Sequence, residues 1–412
     1  SGPRPYQQQA YQNWVENGYK GMFAMATGTG KTVTSLNCIL QEYQKNGYYR
    51  FVVLVPTIAL ANQWFKELQD PKGFNFRDAF ICSSQHKNWE ESMAAIGNNL
   101  TFGNPVNFCI IATYASFRGK RFQECWQRNL SKGFDQLTLI ADEAHTLGSA
   151  ELLKVLPTAI HKRIGLSATP ERVYDQAGEL ELGRFFDAQA PAYTFVYNMK
   201  KAIDDEVLCK YFYYPRFVEL ESEELAVYRK FTRELAKHID PATGRYRDSV
   251  QANNLLIQRK NVIHKAANKE FCLKNIIDQI GPAKFKYAFI YVPEGNRADY
   301  SEDDRLEVDM GDEKIINHYT SELYRSYQFK MRKFLGDTPD RDGILEQFAA
   351  GALDAILAMK CLDEGVDIPR TQYAIFCSST GNPRQYVQRR GRVLRQIKGK
   401  EFAYIYDMVV RT

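Results

Sequence analysis

No apolar run in this 412-residue chain approaches the ~18 residues that span a bilayer, and no signal-type hydrophobic stretch opens it. A membrane protein is therefore not expected. The eight cysteines stand singly, without a C-x-x-C pair, so neither a zinc site nor a disulfide framework is indicated. A reducing, intracellular setting is the default that follows. Charge of one sign is not in surplus either: 54 Lys and Arg against 49 Asp and Glu leave a net charge of +5. That balance neither requires nor excludes nucleic acid, because following a polyanion takes one basic track and not a basic surface. Internal repeats of short period and low-complexity tracts are missing too.

What is present is enough apolar material, 44% of the residues, for two or three cores. Over the first 190 residues or so, short apolar runs alternate with helical patterns, as in a parallel sheet flanked by helices. Expected strands are Gly21–Met25, Phe51–Val55, Phe108–Ala112, Leu137–Ala141 and Arg163–Leu166. From about Glu219 to Ile280 the pattern turns charged and helical, with no strand signal. Strands resume at Tyr287–Val292, Ala355–Met359, Tyr373–Cys377 and Phe402–Tyr406, a second α/β unit. Between Glu294 and Glu313 nine acidic residues face two arginines, the composition of a solvated loop.

The first chemical signal is Met25-Ala26-Thr27-Gly28-Thr29-Gly30-Lys31-Thr32, placed between a strand and a helical pattern. Glycines 28 and 30 free the backbone to curl its N–H groups, with those of Thr27 and Thr29, around phosphate oxygens at a helix N-terminus. Lys31 can then reach the β- and γ-phosphates, and the Thr32 hydroxyl can hold Mg²⁺. Met25 stands where the strict pattern has its first glycine. A Gly-rich turn before a helix would look the same locally. The second signal is the strand Leu137–Ala141 running into Asp142-Glu143-Ala144-His145. Its two carboxylates suit an Mg²⁺ ligand, Asp142, and a partner for the attacking water, Glu143.

With Ser167-Ala168-Thr169 and Gln388-Arg389-Arg390-Gly391-Arg392 following in order, nearly the whole chain resembles the superfamily-two helicases. The resemblance implies an α/β protein of two tandem RecA-like domains with parallel sheets and a helical insert between them. Domain 1, over 1–195, would bind ATP. A linker and thumb-like insert would cover 196–282, as a wedge or a rigid linker, and domain 2 would cover 283–412. ATP and Mg²⁺ are the implied cofactors, with Asp142 and Thr32 on the metal. Arg4-Pro5-Tyr6-Gln7 resembles the family's adenine-reading element, in which Arg4 and Gln7 would meet the base; a Gln amide matches the adenine N6/N7 edge. Thr57, in Val55-Pro56-Thr57, and Thr113, in Ala112-Thr113-Tyr114, resemble loops that grip a sugar-phosphate backbone. In Lys360–Pro369, Lys360 would approach nucleic acid while Gly365 and Asp367 face the nucleotide. Ser167, Thr169 and His145 would couple hydrolysis to movement.

On a helix, Gln388, Arg392 and Arg395 fall within roughly 60° of one another. That face suits arginines aimed at a γ-phosphate, although a plain phosphate-binding patch is also compatible. The DEAH letters invite comparison with RNA helicases. RPYQ, MATGTGKT and QRRGRVLR instead resemble the restriction-subunit and XPB-like branch, which works on DNA. The implied activity is an ATP-driven translocase or helicase on DNA, duplex DNA above all, for which a monomer suffices. An RNA helicase, a nucleic-acid sensor with a switch-like ATPase, and the motor subunit of a nuclease or defence complex are the alternatives.

Overall fold

The computed structural model describes residues 2–172, 175–241, 244, 246–247, 249–293, 312–335, 338–359, 370–378, 383–397 and 399–412. Lys360, Gly365 and Asp367, and the acidic segment from 294 to 311, lie outside the described residues. Two compact units emerge, Ser1–Leu208 and Cys209–Thr412.

The first unit is a seven-stranded, all-parallel sheet. In chain order its strands are β1 (Lys20–Met25), β2 (Arg50–Val55), β3 (Ala79–Cys82), β4 (Phe108–Thr113), β5 (Thr138–Asp142), β6 (Lys162–Ser167) and β7 (Phe195–Tyr197). In space they run β3-β4-β2-β5-β6-β1-β7. β2, β4 and β5 are buried at nearly every position, as strands covered on both faces must be. Trp126, Phe117, Phe122 and Phe134 fill one side of the core. Chain order reverses beside β5, β6 and β1, which puts the carboxyl ends of these three strands side by side. Open α/β sheets bind ligands there.

The second unit is a six-stranded parallel sheet of β8 (Lys210–Glu219), β9 (Ala288–Tyr291), β10 (Met331–Phe334), β11 (Ala355–Ala358), β12 (Tyr373–Phe376) and β13 (Phe402–Arg411). Its order is β10-β11-β9-β12-β13-β8. Each strand expected from the sequence is present to within a residue or two, except that β13 runs on to Arg411. Four were not expected: β3, β7 and β10, of three or four residues each, and β8. The last falls inside the segment read as linker and insert, where Pro215 argues against a strand. β8 is an edge strand, the place in a sheet where a proline is tolerated.

The helices Ser222–Ala236, Val250–His264 and Asn268–Ile280 follow. The first two pack on each other, and the third packs on β8. Buried Glu224 ties this segment together: its carboxylate accepts from the N–H groups of Glu221 and Ala267, both at 2.9 Å.

Candidate functional site

The loop from Ala26 to Gly30 leaves β1 and enters the helix Lys31–Asn46. Gly28 and Gly30 have φ of 86° and 79°, in the left-handed region that side chains resist. Gly30 is the N-cap and offers no side chain, so the first N–H groups of the helix receive no side-chain cap. The loop is braced from behind: the Tyr6 hydroxyl donates to the Thr29 carbonyl at 2.7 Å, and Thr29 Oγ1 donates to the Ala26 carbonyl at 2.7 Å. Tyr6 is itself stacked on Tyr197, with centroids 4.2 Å apart. Thr27 Oγ1 is buried without a hydrogen-bond partner among the described residues, an acceptor and donor left over at the cradle. Gln7 lies beside the cradle. A Cβ built on Gly30 would stand 3.8 Å from its Nε2, while its Oε1 accepts from the Arg4 backbone N–H at 2.8 Å. One side of the Gln7 amide is thus used to start the helix Pro5–Glu16, and its NH₂ faces the loop.

β5 delivers the acidic pair. Asp142 is the last residue of the strand and is buried. Glu143, with φ 48°, takes the left-handed conformation that a non-glycine residue adopts only when its surroundings enforce it. That turn directs its carboxylate to Lys31, whose Nζ lies 3.7 Å from Glu143 Oε1. Burial, reinforced by the adjacent Glu143 charge, pushes the Asp142 carboxyl up to about 6. Lys31, the indole N–H of Trp64 at 2.9 Å and the Glu143 N–H at 3.0 Å act in the opposite direction. Tyr114 fixes the strand end through a 2.8 Å bond from its hydroxyl to the Asp142 carbonyl. His145 Nδ1 lies 3.5 Å from Glu143 Oε2 and 3.4 Å from Ser167 Oγ, at the end of β6. Ser167 Oγ also accepts from the Thr169 N–H at 3.2 Å. Glu143, His145, Ser167 and Thr169 therefore form one line across the ends of β5 and β6.

These residues fit Mg²⁺ and a nucleoside triphosphate. An uncapped helix start, a left-over Thr27 hydroxyl, Lys31 and Thr32 beginning the helix, and a buried carboxyl poised to ionise are the donor set such a complex asks for. Among the described residues no group of three or more His, Cys, Asp or Glu could hold a metal by itself. Mg²⁺ carried on phosphates needs only one or two protein ligands.

Other expected residues lie elsewhere. Thr57 and Thr113 cap the helices Ile58–Gln69 and Tyr114–Phe117, accepting from the Leu60 and Ser116 N–H groups at 3.3 and 3.1 Å. In the second unit, Gln388 and Arg392 lie on the helix Pro383–Val393. The helix ends before Arg395, so the expected three-residue helical face reduces to Gln388 and Arg392. Arg389 sits over Tyr291 and Arg390 over Tyr213, at 5.2 and 4.2 Å from the ring centroids. Sequence reasoning missed the roles of Trp64, Tyr6 and Tyr114. Only a fold shows a donor 78 positions from its acceptor.

The family described as "Type III restriction enzyme, res subunit" matches residues 1–172, and "Helicase conserved C-terminal domain" matches 304–396. A protein from Sulfurisphaera tokodaii, "DNA 3'-5' translocase XPB2", is 25% identical across 99% of this chain and 81% of its own length. "Putative DNA 3'-5' helicase Rad25" of Halobacterium salinarum is 24% identical over 95% of this chain, which spans 52% of that relative. Among solved structures, "ATP-dependent Type ISP restriction-modification enzyme LlaBIII bound to DNA" matches all of this chain with a TM-score of 0.64 at 19% identity, over 28% of its own length. The Pyrococcus furiosus Hef helicase domain matches 99% with a TM-score of 0.57 at 15% identity, over 95% of its length. Both share the fold of two RecA-like domains. With its motifs in this order and both family models matching along it, the chain belongs to the superfamily-two helicases, in the branch of the type III restriction subunits and the XPB-like proteins.

Proposed function

We propose that the chain is an ATP-dependent translocase or helicase acting on DNA, with duplex DNA as its track. The observation that carries this reading is the meeting of the Gly28–Gly30 cradle, Lys31, Asp142 and Glu143 at the ends of β1 and β5, which flank β6. The relatives described as a DNA translocase and a DNA helicase support the choice of DNA. Mg²⁺ bound with ATP would supply charge neutralisation at the phosphates and a fixed orientation for the phosphoryl group. Thr32 and ionised Asp142 would hold the metal, and Lys31 would bind phosphate oxygens. Glu143 would orient the attacking water and accept its proton, once phosphate draws Lys31 away from it. His145 would pass the state of Glu143 to Ser167 and Thr169. Arg392 and Arg395, with Gln388, are assigned to the developing γ-phosphate charge. Thr57 and Thr113 position loops whose amides would hold the DNA backbone, and Lys360 would add a contact.

A second reading, the motor portion of a restriction or defence assembly, is supported by the restriction-subunit family match. It uses the same chemistry. The test is ATPase rate with duplex DNA, single-stranded DNA and structured RNA side by side. Stimulation by RNA but not by duplex DNA would overturn the DNA assignment.

A further inference from the structure

The second sheet gathers positive charge at the amino ends of its strands, opposite the carboxyl ends where ligands of open α/β sheets normally sit. Lys210 is the first residue of β8 and Lys330 directly precedes β10, while Lys286, Arg370 and Lys400 stand within three residues before β9, β12 and β13. Two carboxylates, Asp354 and Glu401, share this rim, and Asp354 is engaged by the Lys330 N–H at 2.8 Å. Here a cavity of about 320 Å³ opens, with Tyr287, Arg370, Gln372, Lys400, Phe402 and Tyr404 in its walls. Ligand pockets run from about 300 to 1,000 Å³, so this one accepts a single nucleotide unit and no duplex. Arg370 is exposed, its guanidinium 4.7 Å from the centre of the Tyr287 ring.

Beside the cavity, rings form a ladder across the sheet. Tyr373 stacks on Tyr404 at 5.4 Å, Tyr404 on Phe212 at 5.5 Å, and Phe402 lies 5.3 Å from Phe212. The ladder ends at the sheet edge on Phe212, 45% exposed. A base is a flat ring that adds one more step to such a ladder, and cations beside it fit the phosphates on either side. A pairing protein strand fits less well: β8 carries Pro215 in its middle, a residue that blunts sheet edges, and strand pairing makes no use of the cations.

We propose that this cavity and the ring edge bind single-stranded nucleic acid, a base stacking on Phe212 or Phe402 with Arg370 and Lys210 on the phosphates. The site belongs to the second unit and the nucleotide cradle to the first; only the ATPase arm of the test below rests on the motor reading. It has a direct link to the arginine helix, because Lys400 Nζ donates to the carbonyls of Val393 and, at 3.3 Å, Arg395.

The test uses the full chain without nucleotide and a labelled oligothymidylate of about 20 nucleotides, longer than the usual ~4–16 nucleotide footprint. Phe212→Ala combined with Arg370→Glu lowers affinity for it on the order of tenfold or more, whereas Phe212→Trp binds like the parent. Duplex-stimulated ATPase stays at the parent's level in both variants. Ultraviolet cross-linking of the unaltered chain to the same oligonucleotide carrying bromodeoxyuridine yields adducts on peptides containing Phe212, Phe402 or Tyr404, independently of how any variant folds. Unchanged affinity in the double variant, or adducts only on other peptides, overturns the proposal. So does a parallel loss of duplex-stimulated ATPase, which assigns these residues to the main track. A dimer of the unaltered chain that Phe212→Ala dissolves overturns it in favour of a second copy on the edge.

Discussion

Trp64→Phe isolates one hydrogen bond at the acidic pair. The indole N–H reaches Asp142 Oδ2 at 2.9 Å in a buried site, and phenylalanine keeps most of the packing while removing the donor. A hydrogen bond to a charged group is worth about 1.5–3 kcal/mol, and the neutral acid keeps part of it. A net preference of about 1.4 kcal/mol for the carboxylate corresponds to about one pH unit. The Asp142 midpoint, already lifted by burial to about 6, would therefore move to about 7. On the proposed reading, in which Asp142 holds the Mg²⁺ that comes with the nucleotide, binding needs the ionised carboxyl. The ionised fractions then give an affinity loss of about fivefold near pH 6, about twofold near pH 7 and almost none near pH 8.

The empty protein follows the opposite sign. A raised carboxyl pKa means the folded state holds its proton more tightly than the unfolded chain, so this group's contribution to stability falls as pH rises from the ordinary carboxylate range through about 6. The assay is equilibrium binding of a non-hydrolysable ATP analogue with Mg²⁺ to parent and variant across pH. Because the analogue's own titration affects both proteins alike, the ratio reports Asp142. An equal loss at every pH would refute the argument and reduce Trp64 to packing.

Glu143→Gln should retain nucleotide binding and lose most turnover, whereas Lys31→Ala should weaken binding as well; lost affinity with intact hydrolysis in the Gln variant contradicts the assignment. Arg392→Ala or Arg395→Ala should cut stimulated hydrolysis on the order of 10³-fold if that residue meets the γ-phosphate. Nucleotide-free DNA binding should change little, and the reverse pattern would make these arginines a phosphate patch. Removing the acidic segment from Glu294 to Glu313 should leave ATPase intact and DNA affinity unchanged or raised, since its carboxylates repel phosphate. A fall in DNA affinity in a folded deletion variant counts against that.

Strands were legible where they were long and apolar. β2, β4 and β5 are buried on both faces and announce themselves as continuous hydrophobic runs. β3, β7 and β10 are too short to establish a period, and β8 exposes most of its aromatic side chains and carries a proline. The cradle was legible because its chemistry is local: two glycines with positive φ, then Lys31 at the helix start. Its supports were not. Tyr6, Trp64 and Tyr114 act on atoms 23 to 78 residues away. Arg395 shows the limit of periodicity, since a helical wheel assumes a helix and this one stops at Val393.

ATPase rate as a function of duplex length, with displacement of a triplex-forming strand, tests the central claim of ATP-driven movement along duplex DNA. A motor spends more time bound on longer tracks before reaching an end, so the rate should keep rising beyond the footprint of the protein and the third strand should be displaced. Sugar-phosphate contacts carry no sequence information, so the rise should be indifferent to base sequence. A rate that saturates once the duplex covers the footprint, with the third strand left in place, would contradict translocation and show an ATPase that works as a switch.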